Sequence, residues 1–308
     1  MASEPLLTGY PLAVVQRGES ARSSVLFDYW ILTKPEINFL IGLAASAAFC
    51  VGCGEPLARF PWALLVHALL GTVIVASGAA TLNQLIERQF DAQMRRTARR
   101  PIAAGRIKPV HALVFGAMLS IVGSIYLALA VRPAASLVAV LTLACYLFLY
   151  TPLKRRTPLC TLVGAVPGAM PVLIGYVAAA GKLDSPAWIL YAILFLWQFP
   201  HFMAIAWMYR EDYARAGYEI LPVGHNAQFM GWQCVLPAFA LACVAVAPLV
   251  LRHASAAVTV GTLLLSLSFF YFAARLAVAR SNVAARRLLL VSVLYLPSVL
   301  VLEVLARF

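Results

Sequence analysis

The chain has 308 residues, of which 63% are hydrophobic, a net charge of +12 and a mean hydropathy of +0.87. A soluble globular domain does not have this composition, because water would face a continuous apolar surface. The composition therefore excludes a soluble protein and predicts a chain that lies largely in lipid. There, long apolar runs form α-helices, whereas the strands of a β-barrel would be shorter and would alternate in polarity.

Residues 1–30 are predicted to form a flexible cytoplasmic N-terminal tail. They contain Glu4 and Glu19 and have no compact apolar core behind a basic start, so they do not resemble a signal peptide. No Ser/Gly-rich linker divides the rest of the chain. Residues 31–308 are therefore predicted to be a single transmembrane domain.

Apolar runs recur along this domain, and each is long enough to cross a hydrocarbon core about 30 Å thick. The predicted spans are residues 37–53, 61–85, 110–131, 133–151, 162–180, 187–208, 230–251, 255–279 and 288–306. The fold class that follows is all-α, a polytopic membrane protein with about nine transmembrane helices.

The basic residues are distributed unevenly between the two sets of loops. Counted along the predicted topology, 19 of the 24 Lys and Arg residues fall on the side of the N-terminus and five on the other side. The positive-inside rule then predicts a cytoplasmic N-terminus and an external C-terminus. This topology accounts for most of the excess charge, and no nucleic-acid partner is expected.

The second apolar run ends in a polar helix extension. Asn83, Glu87 and Asp91 are spaced by four residues, so their side chains form one stripe along a helix. Two carboxylates and an amide oxygen suit Mg²⁺. Four arginines follow between residues 95 and 100, and a guanidinium group suits phosphate oxygens. The alternative for this segment is a solvated helix extension stabilised by pairs such as Asp91–Arg95.

A second carboxylate-bearing segment ends the sixth run, where residues 209–215 include Asp212. This faint internal repeat leaves open a transporter with an inverted repeat, but such a protein carries ionisable residues near the bilayer midplane. The acidic residues of this chain instead cluster at one membrane face.

Further motifs follow the two acidic segments in separate loops. They are Arg96-Thr97, Arg100-Pro101, Gly105-Arg106-Ile107, Tyr150-Thr151-Pro152-Leu153-Lys154-Arg155-Arg156-Thr157, Pro200-His201-Phe202, Asp212-Tyr213-Ala214-Arg215-Ala216-Gly217 and Leu221-Pro222. Together with the first motif they resemble the protohaem IX farnesyltransferases of the UbiA-type intramembrane prenyltransferase superfamily. The resemblance extends over roughly residues 30 to 305.

This resemblance implies a nine-helix bundle around a central cavity in a bacterial inner membrane, with active-site loops in the cytoplasm. The implied reaction joins the farnesyl group of farnesyl diphosphate to the 2-vinyl group of haem B to give haem O, with Mg²⁺ as cofactor and a haem A synthase as possible partner. The implied catalytic and Mg²⁺-binding residues are Asn83, Glu87, Asp91 and Asp212. The diphosphate-binding candidates are Arg96, Arg100, Lys154, Arg155 and Arg210, and the candidates for the haem cavity are His201, Tyr209 and Tyr213.

The sequence departs from the family pattern at three positions. Glu87 stands where Asp is common, Cys160 where Asn is expected, and Ala216 leaves the second acidic motif with Asp212 alone. A complete second motif would favour another aromatic prenyltransferase, such as one acting on 4-hydroxybenzoate. His201 has two possible roles, as an axial ligand of haem iron or as a hydrogen-bond partner of a propionate or another helix. Tyr150 is expected in the interfacial aromatic belt.

Overall fold

Helices and turns make up the computed structural model wherever it describes the chain, at residues 24–218, 227–251 and 254–307. Most of the predicted tail of residues 1–30 lies outside the described residues, as does the Leu221-Pro222 motif.

The helices follow one another with short connections. They are α1 (Val25–Leu32), α2 (Pro35–Gly52), α3 (Trp62–Asp91), α4 (Pro109–Ala130), α5 (Pro133–Ala144), α6 (Thr151–Leu153), α7 (Cys160–Ala180), α8 (Ser185–Met208), α9 (Arg210–Arg215), α10 (Ala227–Val244), α11 (Ala247–Val250), α12 (Ala256–Ala279) and α13 (Asn282–Leu305). A 3₁₀ turn at Leu57–Arg59 precedes α3, and a π-helical segment at Cys145–Tyr150 joins α5 to α6.

The predicted transmembrane helices are confirmed. Within the described part of the chain, nine helices or helix pairs are long and apolar enough to cross a membrane. Most of their ends lie within two residues of the predicted ends, because the loops are marked by proline and charged residues that end the apolar runs.

Two helices are longer than predicted. Helix α3 continues to Asp91 instead of ending at residue 85, and α13 begins at Asn282 instead of residue 288. Hydropathy ends a span at the first polar residues, but the polar residues of α3 are buried among partners and the helix continues through them. The first two turns of α13 contain Arg286 and Arg287, so hydropathy does not count these turns as part of the apolar run.

Helix α7 lies at the centre of the bundle and is the most buried of the nine spans. It packs against α2, α3, α5 and α8. At Gly175 a Cβ atom would lie 2.0 Å from the carbonyl oxygen of Ala45, so only glycine allows α2 and α7 to approach this closely.

The two ends of the bundle differ in chemistry. At the end where α3 stops at Asp91, which we call the acidic end, lie Lys34 at the start of α2 and Asn282 at the start of α13. At the opposite end, Nε of Arg307, just beyond α13, donates to the carbonyl oxygen of Cys53, just beyond α2, at 2.9 Å. Both helices therefore run in the same direction, away from the acidic end.

Candidate active site

The acidic stripe of α3 faces the interior of the protein. Asn83, Glu87 and Asp91 are only 1%, 5% and 1% exposed. The four-residue spacing thus places all three on one helix face, as predicted, and that face is the buried one. The alternative of a solvated helix extension is wrong, because a solvated extension leaves its carboxylates in water.

Each polar group of the stripe contacts a different cation. Nζ of Lys34 donates to Oδ1 of Asn83 at 3.1 Å, and Nζ of Lys154 to Oε1 of Glu87 at 2.8 Å. Nη1 of Arg100 lies 2.8 Å from both carboxylate oxygens of Asp91. Three cations therefore surround two carboxylates, and the buried cluster carries a surplus of positive charge when all five groups are ionised.

Lys34 was not among the predicted site residues, yet it lies at the centre of this cluster. Its backbone is left-handed, with φ at 52°, because it joins the end of α1 to Pro35 at the start of α2. Burial, and then the charge of Arg100, lowers the pKa of Lys34 from 10.5 to about 7. Nearby anions would raise this pKa and favour the charged form. The signal in the sequence is a lone lysine immediately before the first span, at the same membrane face as the stripe.

Lys154 is positioned by the wide π-helical turn and the short helix α6 that precede it. Burial by itself lowers its pKa, but the contact with Glu87 reverses this effect and holds the pKa of Lys154 well above its usual value. Its Nζ also lies 4.6 Å from the ring centre of Tyr150.

Tyr150 lies beneath Lys154 and against α7 rather than in an aromatic belt. At Gly164 a Cβ atom would lie 2.4 Å from the Tyr150 ring, so the glycine leaves the space that the ring occupies. The prediction that Tyr150 belongs to the belt is therefore wrong, because a residue with an aromatic ring near a membrane face can also point into the bundle. Tyr150 thus lies beside Lys154, the partner of Glu87, where the sequence analysis did not place it.

The loop after α3 folds back onto the helix end. The hydroxyl of Thr97 donates to the carbonyl oxygen of Asp91 at 2.9 Å, and Arg100 then reaches the Asp91 side chain. Arg106 binds the buried carboxylate of Asp28 on α1 through Nε at 3.0 Å. These contacts hold the loop and α1 against α3, and Arg100 is held in place by them.

Asp212 is not brought into contact with the stripe. It lies on the short helix α9, where its carboxylate pairs with Arg215 on the same helix. Within residues 24–218, 227–251 and 254–307, no three acidic, histidine or cysteine side chains are grouped closely enough to hold one metal ion. The role of Asp212 as a fourth metal ligand stays a prediction.

The segment that contains Asp212 nevertheless packs on the loop that follows α3. Nη2 of Arg96 lies 3.3 Å from the Tyr213 hydroxyl and the guanidinium carbon lies 5.1 Å from the Tyr209 ring centre. The ring of Tyr218 lies 6.2 Å from that of Phe90. The predicted residues Arg96, Tyr209 and Tyr213 thus form a single cluster in which aromatic rings and a cation join the two motifs.

Two of the predicted diphosphate-binding arginines differ in their placement. The guanidinium of Arg155 lies 4.1 Å from the ring centre of Phe90, directly beside the α3 end. Nη1 of Arg210 instead donates to the carbonyl oxygen of Trp207 and to Oδ1 of Asn282. Arg210 therefore joins the end of α8 to the start of α13, and among the described residues no hydrogen bond or ion pair connects it to the stripe.

His201 contacts another helix. Its Nδ1 lies 2.7 Å from Oγ of Ser292 on α13, and its ring stacks on Trp197 with centroids 4.6 Å apart. Of the two possible roles, a hydrogen bond to another helix is therefore present. Ligation of haem iron stays a prediction, and only Nε2 would be available for it.

A cavity of about 330 Å³ lies on the outer side of the stripe, between α1, the start of α2 and α3. One wall is apolar and is formed by Phe27, Trp30 and Ile37. The other wall is polar and includes two cations, Lys34 and Arg100, and one exposed acid, Glu36. It also includes Gln84, whose Oε1 is buried and has no hydrogen-bond partner among the described residues. The cavity therefore suits an amphiphile with an anionic group and an apolar chain.

Like Glu87, the other two departures from the family pattern, Cys160 and Ala216, lie in buried positions. Cys160 is 1% exposed at the first residue of α7, and Ala216 is 3% exposed against Met94 and Tyr218. A carboxylate at residue 216 would have to be accommodated in this apolar contact. The apolar packing around residue 216 is therefore consistent with a second motif that has Asp212 as its acid and alanine at position 216.

The chain belongs to the UbiA prenyltransferase family, whose model matches residues 42–296. It is therefore a prenyltransferase, and the nine membrane-crossing helices or helix pairs found among its described residues make it a multi-pass membrane protein.

Within that family its similarity is to proteins named protoheme IX farnesyltransferase. That of Solibacter usitatus is 46% identical over 287 residues, which cover 91% of this chain and 98% of the relative. That of Koribacter versatilis is 41% identical over 306 residues, which cover 96% of this chain and 97% of the relative.

Solved structures share the fold. A digeranylgeranylglyceryl phosphate synthase structure superposes with a TM-score of 0.74 at 17% identity, covering 92% of this chain and 98% of that one. A UbiA homolog from Archaeoglobus fulgidus bound to GPP and Mg²⁺ gives a TM-score of 0.63 at 15% identity. The match covers 90% of this chain and 99% of that one. The predicted fold class is thereby confirmed.

Proposed function

We propose that this protein transfers the farnesyl group of farnesyl diphosphate to the 2-vinyl group of haem B and, with addition of water, forms haem O. The observation that carries the proposal is the buried stripe of Asn83, Glu87 and Asp91, with a cation from a separate segment on each member. Relatives named for this activity that align over nearly the whole chain support the choice of substrates.

The donor set of the stripe fits Mg²⁺. Two carboxylates and an amide oxygen on one helix face are hard oxygen ligands, and Mg²⁺ is commonly held by one or two carboxylates together with substrate phosphates. Asn83, Glu87 and Asp91 would hold the ion, with Asp212 as the further candidate on α9. When bound, Mg²⁺ would neutralise the charge that develops on the departing diphosphate.

The cations around the stripe have the chemistry required to bind the diphosphate. Lys34, Lys154 and Arg100 surround the stripe, and their charges exceed those of its two carboxylates by one when all five groups are ionised. Fixed cations in a site with little water stabilise a developing anion more strongly than they would in water. Arg96 and Arg155, held beside the α3 end by aromatic rings, add charge at the mouth of the site. Arg210 is also kept as a candidate for diphosphate binding, although its hydrogen bonds are to Trp207 and Asn282 and not to the stripe.

The apolar surroundings have two tasks in this reaction. The wall of Phe27, Trp30 and Ile37 beside Lys34 and Arg100 suits the chain of an amphiphilic diphosphate. Haem, as a substrate, would enter the central cavity of the family, where His201, Tyr209 and Tyr213 are the candidate lining residues. An apolar enclosure keeps water away from the allylic cation until the new bond has formed.

The competing functions are less consistent with these features. A 4-hydroxybenzoate polyprenyltransferase would be favoured by a second complete acidic motif, and residue 216 is instead a buried alanine. A transporter would place ionisable groups near the bilayer midplane. In the described spans the acidic residues, Glu36, Glu87, Asp91 and Glu303, lie in the terminal turns.

The protein would lie in the bacterial inner membrane with the acidic end in the cytoplasm and the C-terminus outside. This orientation rests on the positive-inside rule, because the basic residues concentrate at the acidic end. A haem A synthase is the candidate partner, since it would consume the product.

The test is reconstitution of the purified protein with haem B, farnesyl diphosphate and Mg²⁺, followed by mass spectrometry of the extracted haem. We expect haem O from the wild type, and no product after chelation of Mg²⁺ or in Asp91→Ala. Glu211→Ala is the matched control, because Glu211 is an exposed acid beside Asp212 and should be dispensable. Folded wild-type protein that forms no haem O, or a wild-type rate in Asp91→Ala, would contradict the proposal. Prenylation of 4-hydroxybenzoate, without prenylation of haem B, would support the competing prenyltransferase function instead.

A further inference from the structure

A further buried acid lies at the end of the bundle opposite the stripe. Glu303, near the end of α13, is 8% exposed. Its Oε1 is fully buried and has no hydrogen-bond partner among the described residues, and no ion pair involving Glu303 is present in that part of the chain. A buried carboxylate oxygen without a partner is costly, which indicates that a donor from outside the chain completes it.

A cation lies one helical turn beyond this acid. Arg307 donates from Nε to the carbonyl oxygen of Cys53 at 2.9 Å, which fixes the guanidinium group beside the end of α2. Its two terminal nitrogens have no hydrogen-bond partner within the described residues. Glu303 and Arg307 do not pair with each other, so one negative and one positive group are presented side by side.

Both groups line one cavity of about 310 Å³. Its remaining walls are apolar and come from three other helices, with Val51 on α2, Pro186 and Ile189 on α8, and Pro248 on α11. This volume is at the lower end of the range for sites that bind small molecules. It is large enough for a polar headgroup.

The cavity lies at the level of a membrane surface. It is formed by the ends of transmembrane helices, and near the start of α8 the half-exposed Trp188 packs edge-on against Tyr191 with centroids 5.7 Å apart. Tryptophan in this position is typical of the interface between hydrocarbon and water. Leu305 and Val250, beside the cavity walls, are 62% and 72% exposed and would face lipid chains.

We propose that this cavity binds the headgroup of phosphatidylethanolamine from the adjacent leaflet. The primary ammonium would donate to Glu303 and the phosphate would accept from the terminal nitrogens of Arg307. Arg307 follows Glu303 by four residues, just beyond the end of α13, and both side chains line the one cavity, as a ligand with two charges joined by a two-carbon link requires. A quaternary choline headgroup has no N–H to donate to the Glu303 carboxylate, so the site selects the primary amine.

The test uses native mass spectrometry of the full-length protein in detergent with added phosphatidylethanolamine, phosphatidylcholine or phosphatidylglycerol. We expect the wild type to retain phosphatidylethanolamine about tenfold more than the other two lipids, since a hydrogen bond to a charged group has about this effect. Glu303→Gln removes the charge but keeps an acceptor oxygen, so it should reduce the preference for ethanolamine over choline. Arg307→Gln should reduce retention of all three lipids.

The matched controls are Glu55→Gln and Arg59→Gln. These residues have the same charges and the same spacing at the same end of the bundle, but they are exposed and outside the cavity. Their lipid retention should equal that of the wild type. Equal retention of the three lipids by the wild type, or an unchanged preference in Glu303→Gln, would overturn the proposal.

A second measurement needs no substitution. Phosphatidylethanolamine with a photoactivatable group in its headgroup should crosslink to the peptide that contains residues 303–307. Crosslinks confined to residues outside the cavity walls would exclude the site even if the Glu303 and Arg307 variants failed to fold.

Discussion

Single side chains explain how α3 carries acids into the bundle. An unpaired buried charge costs several kcal/mol, and removing one partner of a buried pair costs about 3–5 kcal/mol. Glu87 and Asp91 avoid this cost through Lys154 and Arg100, both at 2.8 Å. The longer side chain of Glu87, a departure from the family pattern, is the one that meets Lys154.

The stripe was predictable from spacing, but its partners were only partly so. The i, i+4, i+8 pattern placed Asn83, Glu87 and Asp91 on one face because helix geometry depends on local sequence. Lys34 contacts Asn83 across 49 residues, and such a contact has no signature in a local pattern. The sequence also suggested Asp91–Arg95, whereas the loop folds back to bring Arg100 to Asp91.

At the residue scale we predict that Arg155→Ala raises the KM for farnesyl diphosphate by about tenfold with little change in kcat, as expected when one binding contact is lost. Arg155 lies beside the α3 end over Phe90 and makes no ion pair with the stripe acids in the described residues. Steady-state kinetics at saturating haem B will measure this effect. Arg156→Ala is the control, because Arg156 is exposed like Arg155 but has no contact with the Phe90 ring among the described residues. An effect on haem affinity alone would remove Arg155 from the diphosphate site.

Helices were predicted more reliably than the interruptions between them. The nine spans follow from hydropathy, and the two incorrect ends, those of α3 and α13, are the places where charged residues are part of the helix. The π-helical turn at Cys145–Tyr150 has no signal in the sequence, because its residues are as apolar as the helix before it. This turn positions Tyr150 and Lys154, so the missed position of Tyr150 has the same origin.

At the element scale the close approach of α2 and α7 makes a prediction. Gly175→Ala places a Cβ atom 2.0 Å from the backbone oxygen of Ala45, and backbone cannot move aside as a flexible side chain does. We expect the helices to separate, with a loss of about 1–3 kcal/mol typical of overpacking. Thermal unfolding in detergent will measure this loss of stability. Gly42→Ala on α2 is the control, since its Cβ would meet no atom within 4 Å, and an equal effect of both variants would refute the explanation.

On the scale of the whole molecule, the chain separates two kinds of polar site at the two ends of one apolar bundle. The fold class was predictable because composition and span length leave few alternatives for a chain in lipid. The cavity at Glu303 was not predictable from the sequence, because a single acid near the end of the last span forms no distinguishing pattern. Its significance comes from the lack of a partner in three dimensions.

The predicted orientation can be tested with a membrane-impermeant thiol reagent. Lys182→Cys, at the exposed turn between α7 and α8, should be labelled in intact cells, and Arg99→Cys, in the exposed loop after α3, only after the membrane is opened. The wild type, with its six cysteines, gives the background. The reverse pattern would invert the topology and place the stripe outside the cell.

The pairing of Glu87 with Lys154 also has a consequence for biosynthesis. The two residues are 67 positions apart, and α4 and α5 lie between them. Membrane chains are made from the N-terminus, and their parts fold in that order. Glu87 therefore reaches the bilayer two spans before its counter-ion exists. The last turns of α3 can settle among their neighbours only late in insertion, after the ribosome has passed residue 154.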